Sequence, residues 1–384
     1  MTYRLNPSQK AIQKTALEFA RGEFDKDTAR EFDKRAEFPE TIWRKAAELG
    51  FIGIHMPEKF SGGGMGSLEN VLVAETFAGK DSTTGAAIML AGLAADWLAR
   101  FGSETQQTEL LPEILEGRMR TGAALVQPDA VGQDALIGME DGEPGVLWRI
   151  DGELDSVING RAADIFFVLC SNSTFAEPSG GVSMLVVEAD KPGVTVEKDH
   201  PMLGLRMTGA ARIKFAGVHV PLVNLIGRRN QGLKQASRIL PESRLLLAAL
   251  ALGTAQGAFD RALAHVRERE QFGKKIAGFQ VTRHKLAEMA LQIEQARCLT
   301  YQAALQVDGK KADFRLVAMA NLAATRAAVS VAFEAIQLLG GYGYTSEYDV
   351  ERSYRDAKTL QVLSGNGNTL TDEIGDSIIG KLKS

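Results

Sequence analysis

Cysteine is nearly absent from this chain: Cys170 and Cys298 are the only two in 384 residues. Thiols that few and that far apart cannot build a disulfide framework, which fits a reducing compartment. Histidine is scarce too. His55, His200, His219, His265 and His284 never fall at a metal-ligand spacing, so solvated or core-bound histidines are the expectation. Neither sign of charge dominates, and a net charge of -4 gives no electrostatic reason for nucleic acid or an anionic membrane as a partner. No apolar h-region follows Met1 and no stretch approaches an uninterrupted apolar membrane span, so a cytoplasmic protein is expected. Internal repeats and low-complexity tails are lacking as well.

What is present is enough apolar sequence for a large core. With 45% hydrophobic and 24% charged residues, the chain should divide into two or three domains. From Pro7 to about Gly122 the period is helical: Pro39 suits a first helical turn, Ile42, Ala46 and Leu49 share a face, Gly50 can close the helix, and Ser103 with Gln106 resembles a capping box. The texture then changes. Turn signals at Asp141-Gly142, Asp151-Gly152 and Gly180-Gly181 separate short apolar runs, of which Ile165–Leu169, Met184–Val187 and the set Ile213, Phe215, Val218 read as strands. From about Leu233 the chain is rich in Ala and Leu, with helical segments such as Ser243–Val266 and Thr282–Gln306 broken at Gln271-Phe272-Gly273. The expected fold is α+β and mainly helical, with a helical domain over residues 1–121, a β domain over 122–232 and a helical bundle over 233–384.

Two motifs mimic nucleotide-binding loops. Ser61-Gly62-Gly63-Gly64-Met65-Gly66 lacks the Lys-Ser/Thr ending of a phosphate loop and reads as a turn. Gly340-Gly341-Tyr342-Gly343 follows helical sequence where a dinucleotide fingerprint needs a strand.

The C-terminal third is more specific. Arg269-Glu270-Gln271-Phe272-Gly273, then Phe279-Gln280, then Lys285-Leu286-Ala287-Glu288-Met289 precede Gln337-Leu338-Leu339-Gly340-Gly341-Tyr342-Gly343-Tyr344 and Glu351-Arg352-Ser353-Tyr354-Arg355-Asp356-Ala357-Lys358. In order and spacing these segments resemble the signature of the acyl-CoA dehydrogenases, and Gln127-Pro128-Asp129-Ala130 stands where that family has Glu-Pro-x-Ala. The resemblance covers essentially the whole chain. It implies a helical N-terminal domain, a middle β-barrel or sandwich and a C-terminal four-helix bundle.

The resemblance also implies FAD shared across a subunit interface. The half that such a chain donates to its neighbour's flavin maps onto Arg269, Phe272, Gln280, Gln337, Gly340 and Gly341, chemistry suited to pyrophosphate: a guanidinium pairs with it and glycines let backbone approach. The half that the chain keeps for its own flavin departs from the pattern. Val126 stands for a Thr, Gln133 for a Ser, Ser156 and Ile158 for a Trp-x-Thr pair, and Asn366 for another Thr, each removing a hydroxyl contact or an aromatic wall.

The same half lacks the family's base, the carboxylate that takes the α-proton while hydride leaves the β-carbon. Ser364 and Ser243 occupy the two positions where family members carry that Glu, and serine cannot take the proton at neutral pH. Glu242 lies one residue from Ser243, about 100° around a helix. The resemblance therefore suggests a subunit of a heteromeric, tetrameric acyl-CoA dehydrogenase of fatty-acid or steroid side-chain degradation. It would complete the FAD site of a catalytic partner chain that passes electrons to an electron-transferring flavoprotein, with FAD weak or absent in the isolated chain. Two rivals remain: a homomeric flavoenzyme with a relocated base such as Glu242 or different chemistry, and a non-enzymatic acyl-thioester-binding or scaffold protein.

Overall fold

Local signals set most helix starts in the N-terminal third. Asn6 and Gln9 form a capping box on α1 (Pro7–Glu23), and the Asp25 side chain accepts the Thr28 N–H to open α2 (Lys26–Arg35). In α3 (Glu40–Glu48) Pro39 sits just outside, as the cap residue, and Gly50 at φ +73° follows the end. Leu49 leaves the shared apolar face, being 61% exposed, because it already belongs to that C-terminal turn. Four more helices follow: α4 (Ser67–Lys80), α5 (Ser82–Leu90), α6 (Ala95–Phe101) and α7 (Glu104–Leu115), the last opened by the expected Ser103–Gln106 box. The computed structural model describes residues 4–124, 136–141, 147–171, 181–308, 313–365 and 367–380. Val126, Gln127–Ala130, Gln133 and Asn366 lie outside them, as do Gly142 and Gly180 of the proposed turns.

The strands are β1 (Thr121–Ala123), β2 (Leu136–Asp141), β3 (Leu147–Val157), β4 (Ile165–Ser171), β5 (Val182–Glu188), β6 (Val194–Asp199), β7 (Ala211–Pro221) and β8 (Leu225–Ile226). They form one sheet in the order β6-β7-β3-β2-β4-β5-β8, with β1 parallel to β4. β4 explains why the run at 165–169 reads as continuously apolar. Phe166, Val168 and Cys170 face the core of the β domain, while Ile165, Phe167 and Leu169 face the helical core, so both sides of the strand are dry. Asp151-Gly152 is no turn: it lies inside β3, where the pairing with β7 slips between Ile150 and Gly152. A glycine that marks a bulge gives the same sequence signal as one that marks a turn.

Downstream, α8 (Gly232–Glu268) begins eleven residues before Ser243 and runs through Pro241. No side chain caps its first turn, which is why the sequence carries no start signal there. A hairpin of β9 (Glu270–Gln271) and β10 (Lys274–Lys275) leads to α9 (Gln280–Asp308), α10 (Phe314–Leu339), α11 (Gly341–Tyr344), α12 (Val350–Leu363) and α13 (Gly367–Ile379). Helix α8 approaches α4 closely because Gly253 and Gly257 face it; a Cβ at either would come within 2.2–2.3 Å of the Glu75 or Gly79 carbonyl oxygen. By length and composition α10 could cross a membrane, but 61% of its most apolar window is buried inside the protein, as befits the central helix of a bundle.

The segment Glu351–Lys358 ties this bundle to the N-terminal domain. Arg352 pairs with Asp81 and Asp349, and Arg355 with Asp33 and Glu351. The fully buried Asp356 accepts hydrogen bonds from the Ser82 and Thr83 hydroxyls and the Leu205 N–H. Its motif holds domains together.

Candidate functional site

Ser243 and Ser364, 121 positions apart in sequence, line one cavity. Ser243 comes from the face of α8 that also presents Ala236, Ile239, Leu240 and Leu247, and Ser364 from the C-terminal end of α12 beside Leu363. Phe167, Leu169 and Met184 of β4 and β5 form the opposite wall, and Leu93 and Trp97 close the side toward the N-terminal domain. Among the described lining residues there is no carboxylate. The Ser364 hydroxyl is turned inward, donating to the Leu360 carbonyl at 2.9 Å. The one charged lining residue, Arg244, is itself committed: its two terminal nitrogens donate to the two oxygens of Glu373 on α13, at 2.5 and 2.7 Å.

Glu242 stands elsewhere. It faces a second cavity with His55, Asp96, Leu245 and Leu246, as the helix rotation requires. Burial, reinforced by the negative charge of Asp96 and opposed by Arg100, pushes the Glu242 carboxyl up to about 7. Arg100 donates to its Oε1 at 2.5 Å, while Oε2 is buried without a partner among the described residues. His55 bonds Asp96 through Nε2 at 3.0 Å. Burial alone would lower the imidazole, but the charge and hydrogen bond of Asp96, aided by Glu242, raise it above its ordinary value. Neither His55 nor Asp96 is visible as a site in sequence. They are 41 positions apart and carry no motif.

The residues matched to a donated half-site lie on an exposed face of the bundle. The Arg269 guanidinium sits 5.8 Å from the centre of the Tyr342 ring, in the segment that begins with Gly341, and Phe272 packs edge-on to Phe279, the neighbour of Gln280. Phe272 occupies the turn between β9 and β10 at φ +53°, followed by Gly273 at +76°, a geometry that suits Asn-Gly and strains an aromatic residue. Phe272 is also 93% exposed. Arg269, Gln280, Gln337, Gly340 and Gly341 are exposed as well, and a Cβ at either glycine would meet nothing within 4 Å. This surface offers a cation, amides and unobstructed backbone, which suits the pyrophosphate of a dinucleotide brought by another subunit.

Of the own-half residues, only Ser156 and Ile158 can be placed. Ser156 is exposed at φ +55° in β3. Ile158 is 2% exposed, packs in the helical core and donates its N–H to the Ala123 carbonyl, so its side chain is a packing element.

Helical, β and bundle regions around one interdomain cavity define the three-domain oxidoreductase architecture of the flavin-dependent acyl-CoA dehydrogenases. Family profiles agree along the chain: the acyl-CoA dehydrogenase N-terminal domain matches residues 6–118, the middle domain 129–218 and the C-terminal domain 230–379. The chain belongs to the acyl-CoA dehydrogenase family. It is 33% identical to the probable acyl-CoA dehydrogenase YngJ of Bacillus subtilis, covering 99% of both chains. It is 31% identical to the caffeyl-CoA reductase-Etf complex subunit CarC of Acetobacterium woodii over 97% of this chain and 98% of that one. The structure of butyryl-CoA dehydrogenase from Megasphaera elsdenii superposes with a TM-score of 0.92 at 29% identity, covering 99% of this chain and 100% of the other.

Proposed function

We propose that this chain is a subunit of a heteromeric acyl-CoA dehydrogenase that completes the FAD site of a partner chain and has no base of its own. The observation that carries the reading is a contrast: both positions for the family's glutamate line one cavity and both are serine, while the donated face keeps its full set of residues. FAD, when bound, supplies the acceptor for the hydride that leaves the acyl β-carbon. Arg269 would pair with its pyrophosphate, Gly340 and Gly341 would let backbone come near, and Gln280 and Gln337 would supply amide hydrogen bonds. Phe272 would exchange water for an apolar contact at the interface.

On its own side the chain supplies an apolar enclosure suited to an acyl chain, walled by Leu93, Phe167, Leu169, Met184 and Leu247. Removal of the α-proton needs a carboxylate within reach, and this wall offers hydroxyls and an arginine already paired with Glu373. The partner would carry the glutamate, and electrons would pass to an electron-transferring flavoprotein, an association in keeping with the name of the relative CarC. A tetramer built from two such pairs and a cytoplasmic location belong to the same proposal. The test is to purify the chain alone and with its catalytic partner and to record flavin absorbance and dehydrogenase turnover. The expected result is far less than one FAD per subunit and no turnover alone, with both present in the complex. A yellow, active homomer would favour the homomeric reading.

A further inference from the structure

Glu242 and His55 each hide a polar atom with nothing to bond. Glu242 Oε2 and His55 Nδ1 are both buried and have no hydrogen-bond partner among the described residues, and both residues line the second cavity. Native interiors rarely leave two such atoms at one place, because a buried donor or acceptor without a partner is costly. Apart from Ser67, Asn70 and the charged group of His55, Asp96 and Glu242, the wall of this cavity is apolar. It also adjoins the first cavity. Leu93 lines both, and α8 supplies Ser243 and Leu247 to one and Glu242, Leu245 and Leu246 to the other. Leu93 is thus the shared wall between the two.

We infer that this second cavity is a polar distal end of the acyl site, holding the far end of an acyl chain beyond Leu93 at Glu242 and His55, and built to take an acyl group that carries a hydroxyl. The chemistry of the two free atoms selects a hydroxyl. His55 hydrogen-bonds Asp96 through Nε2, so Nδ1 is the atom left for a ligand, an acceptor on the neutral ring and a donor on the protonated one. Glu242, with Oε1 taken by Arg100, offers Oε2. A hydroxyl, being both donor and acceptor, matches the pair with the proton on either group: it donates to Nδ1 and accepts from Glu242, or the reverse. Charge disfavours an anion as well. Asp96 and Arg100 offset one another, and a single proton shared by Glu242 and His55 leaves that pair neutral in total wherever it rests, so a carboxylate would arrive uncompensated, with the negative charge of Asp308 also acting on His55.

The inference rests on the reading that the first cavity receives acyl thioesters, and the experiment separates the two. The full-length chain is titrated calorimetrically with unbranched acyl-CoA thioesters of short and medium length and with their terminally hydroxylated counterparts. At the length that reaches Glu242, the hydroxylated thioester should bind about tenfold or more tightly than the plain one. Glu242→Leu and His55→Phe should each bring that ratio close to one, while a thioester too short to reach them binds as before, which also reports that the variant is folded. If either variant fails to fold, Glu242→Gln and His55→Gln take its place and should shrink the ratio severalfold. Equal binding of the two thioesters, the result if water alone fills the polar end, overturns the inference and leaves the acyl reading standing. A preference for terminal amino or carboxyl analogues overturns the assignment of a neutral group, and so does a hydroxyl preference that survives the substitutions. No binding of any thioester removes the acyl reading and the inference together.

Discussion

The exposed face around Arg269 and the cavity around Ser243, which the proposed reading assigns to two halves of one shared site, hold their groups in opposite ways. On the face, groups stand open to solvent: Phe272 is 93% exposed on a strained turn, and Gly340 and Gly341 border open space. In the cavity, polar groups are turned to internal duties. Ser364 bonds the Leu360 carbonyl and Arg244 is held by Glu373. The difference marks where the proposed reading draws its line: groups left open on the face are the ones it assigns to another chain's flavin.

The largest effect expected from this contrast is on turnover. Placing a carboxylate back into the cavity, as Ser364→Glu or Ser243→Glu, should leave the isolated chain below detectable dehydrogenase activity, many orders of magnitude under a working enzyme. A base acts only with the acceptor held opposite it, and positioning dominates such steps. Robust turnover in an anaerobic dye-reduction assay of either variant would show that the cavity side is far less altered than the contrast requires.

A second prediction separates the motif that holds the fold from the motifs that serve the interface. Arg352 is 3% exposed, and removing it strands the buried Asp81 without its partner. Arg352→Ala should cost about 3–5 kcal/mol of stability, read by chemical unfolding. Arg269→Ala, on the exposed face, should leave the unfolding curve of the isolated chain nearly unchanged. Equal destabilisation by both would erase the distinction between the two motifs.

Glu242 sharpens the comparison from the other side, because its environment is built to hold a proton. Its carboxyl is raised from 4.5 to about 7 in the folded protein, so between those values the folded state binds more protons than the unfolded one. Stability from this group is therefore full below about pH 4.5 and is lost as pH rises toward 7, by at most about 3 kcal/mol. Glu242→Gln should remove this slope, so that the stability difference between variant and parent changes between pH 5 and pH 8 in urea unfolding. Parallel curves for the two proteins would mean that Glu242 is ionised throughout.

Much of this was legible in the sequence, and the exceptions have physical causes. The helical N-terminal third, the buried strands at 165–171 and 182–188 and the capping box at Ser103 follow from local periodicity and capping. Asp151-Gly152 misled because a bulge glycine and a turn glycine look alike until the partner strand is known. The motif at 351–358 marks the family, but only tertiary contacts with Asp33, Asp81, Ser82 and Thr83 reveal its structural duty. Glu242 was separable from Ser243 by helix rotation alone. The dyad of His55 and Asp96 was not, since long-range packing brings together a turn residue beyond α3 and a residue of α6.

The central claim is that this chain lends half of a flavin site to a partner, and the most direct measurement is bound flavin in the assembled complex. Arg269→Ala in this chain should lower FAD retention at the partner's site about ten- to a hundredfold, the loss of one charge-assisted hydrogen bond. Ser243→Ala, in the cavity, should leave that flavin untouched; Ile158 would be a poor control because it is 2% exposed and its truncation would loosen the core. Flavin absorbance after gel filtration of each co-purified complex gives the answer. Selective loss in Arg269→Ala is the predicted result, and equal loss in both variants, or in neither, would contradict a donated half-site.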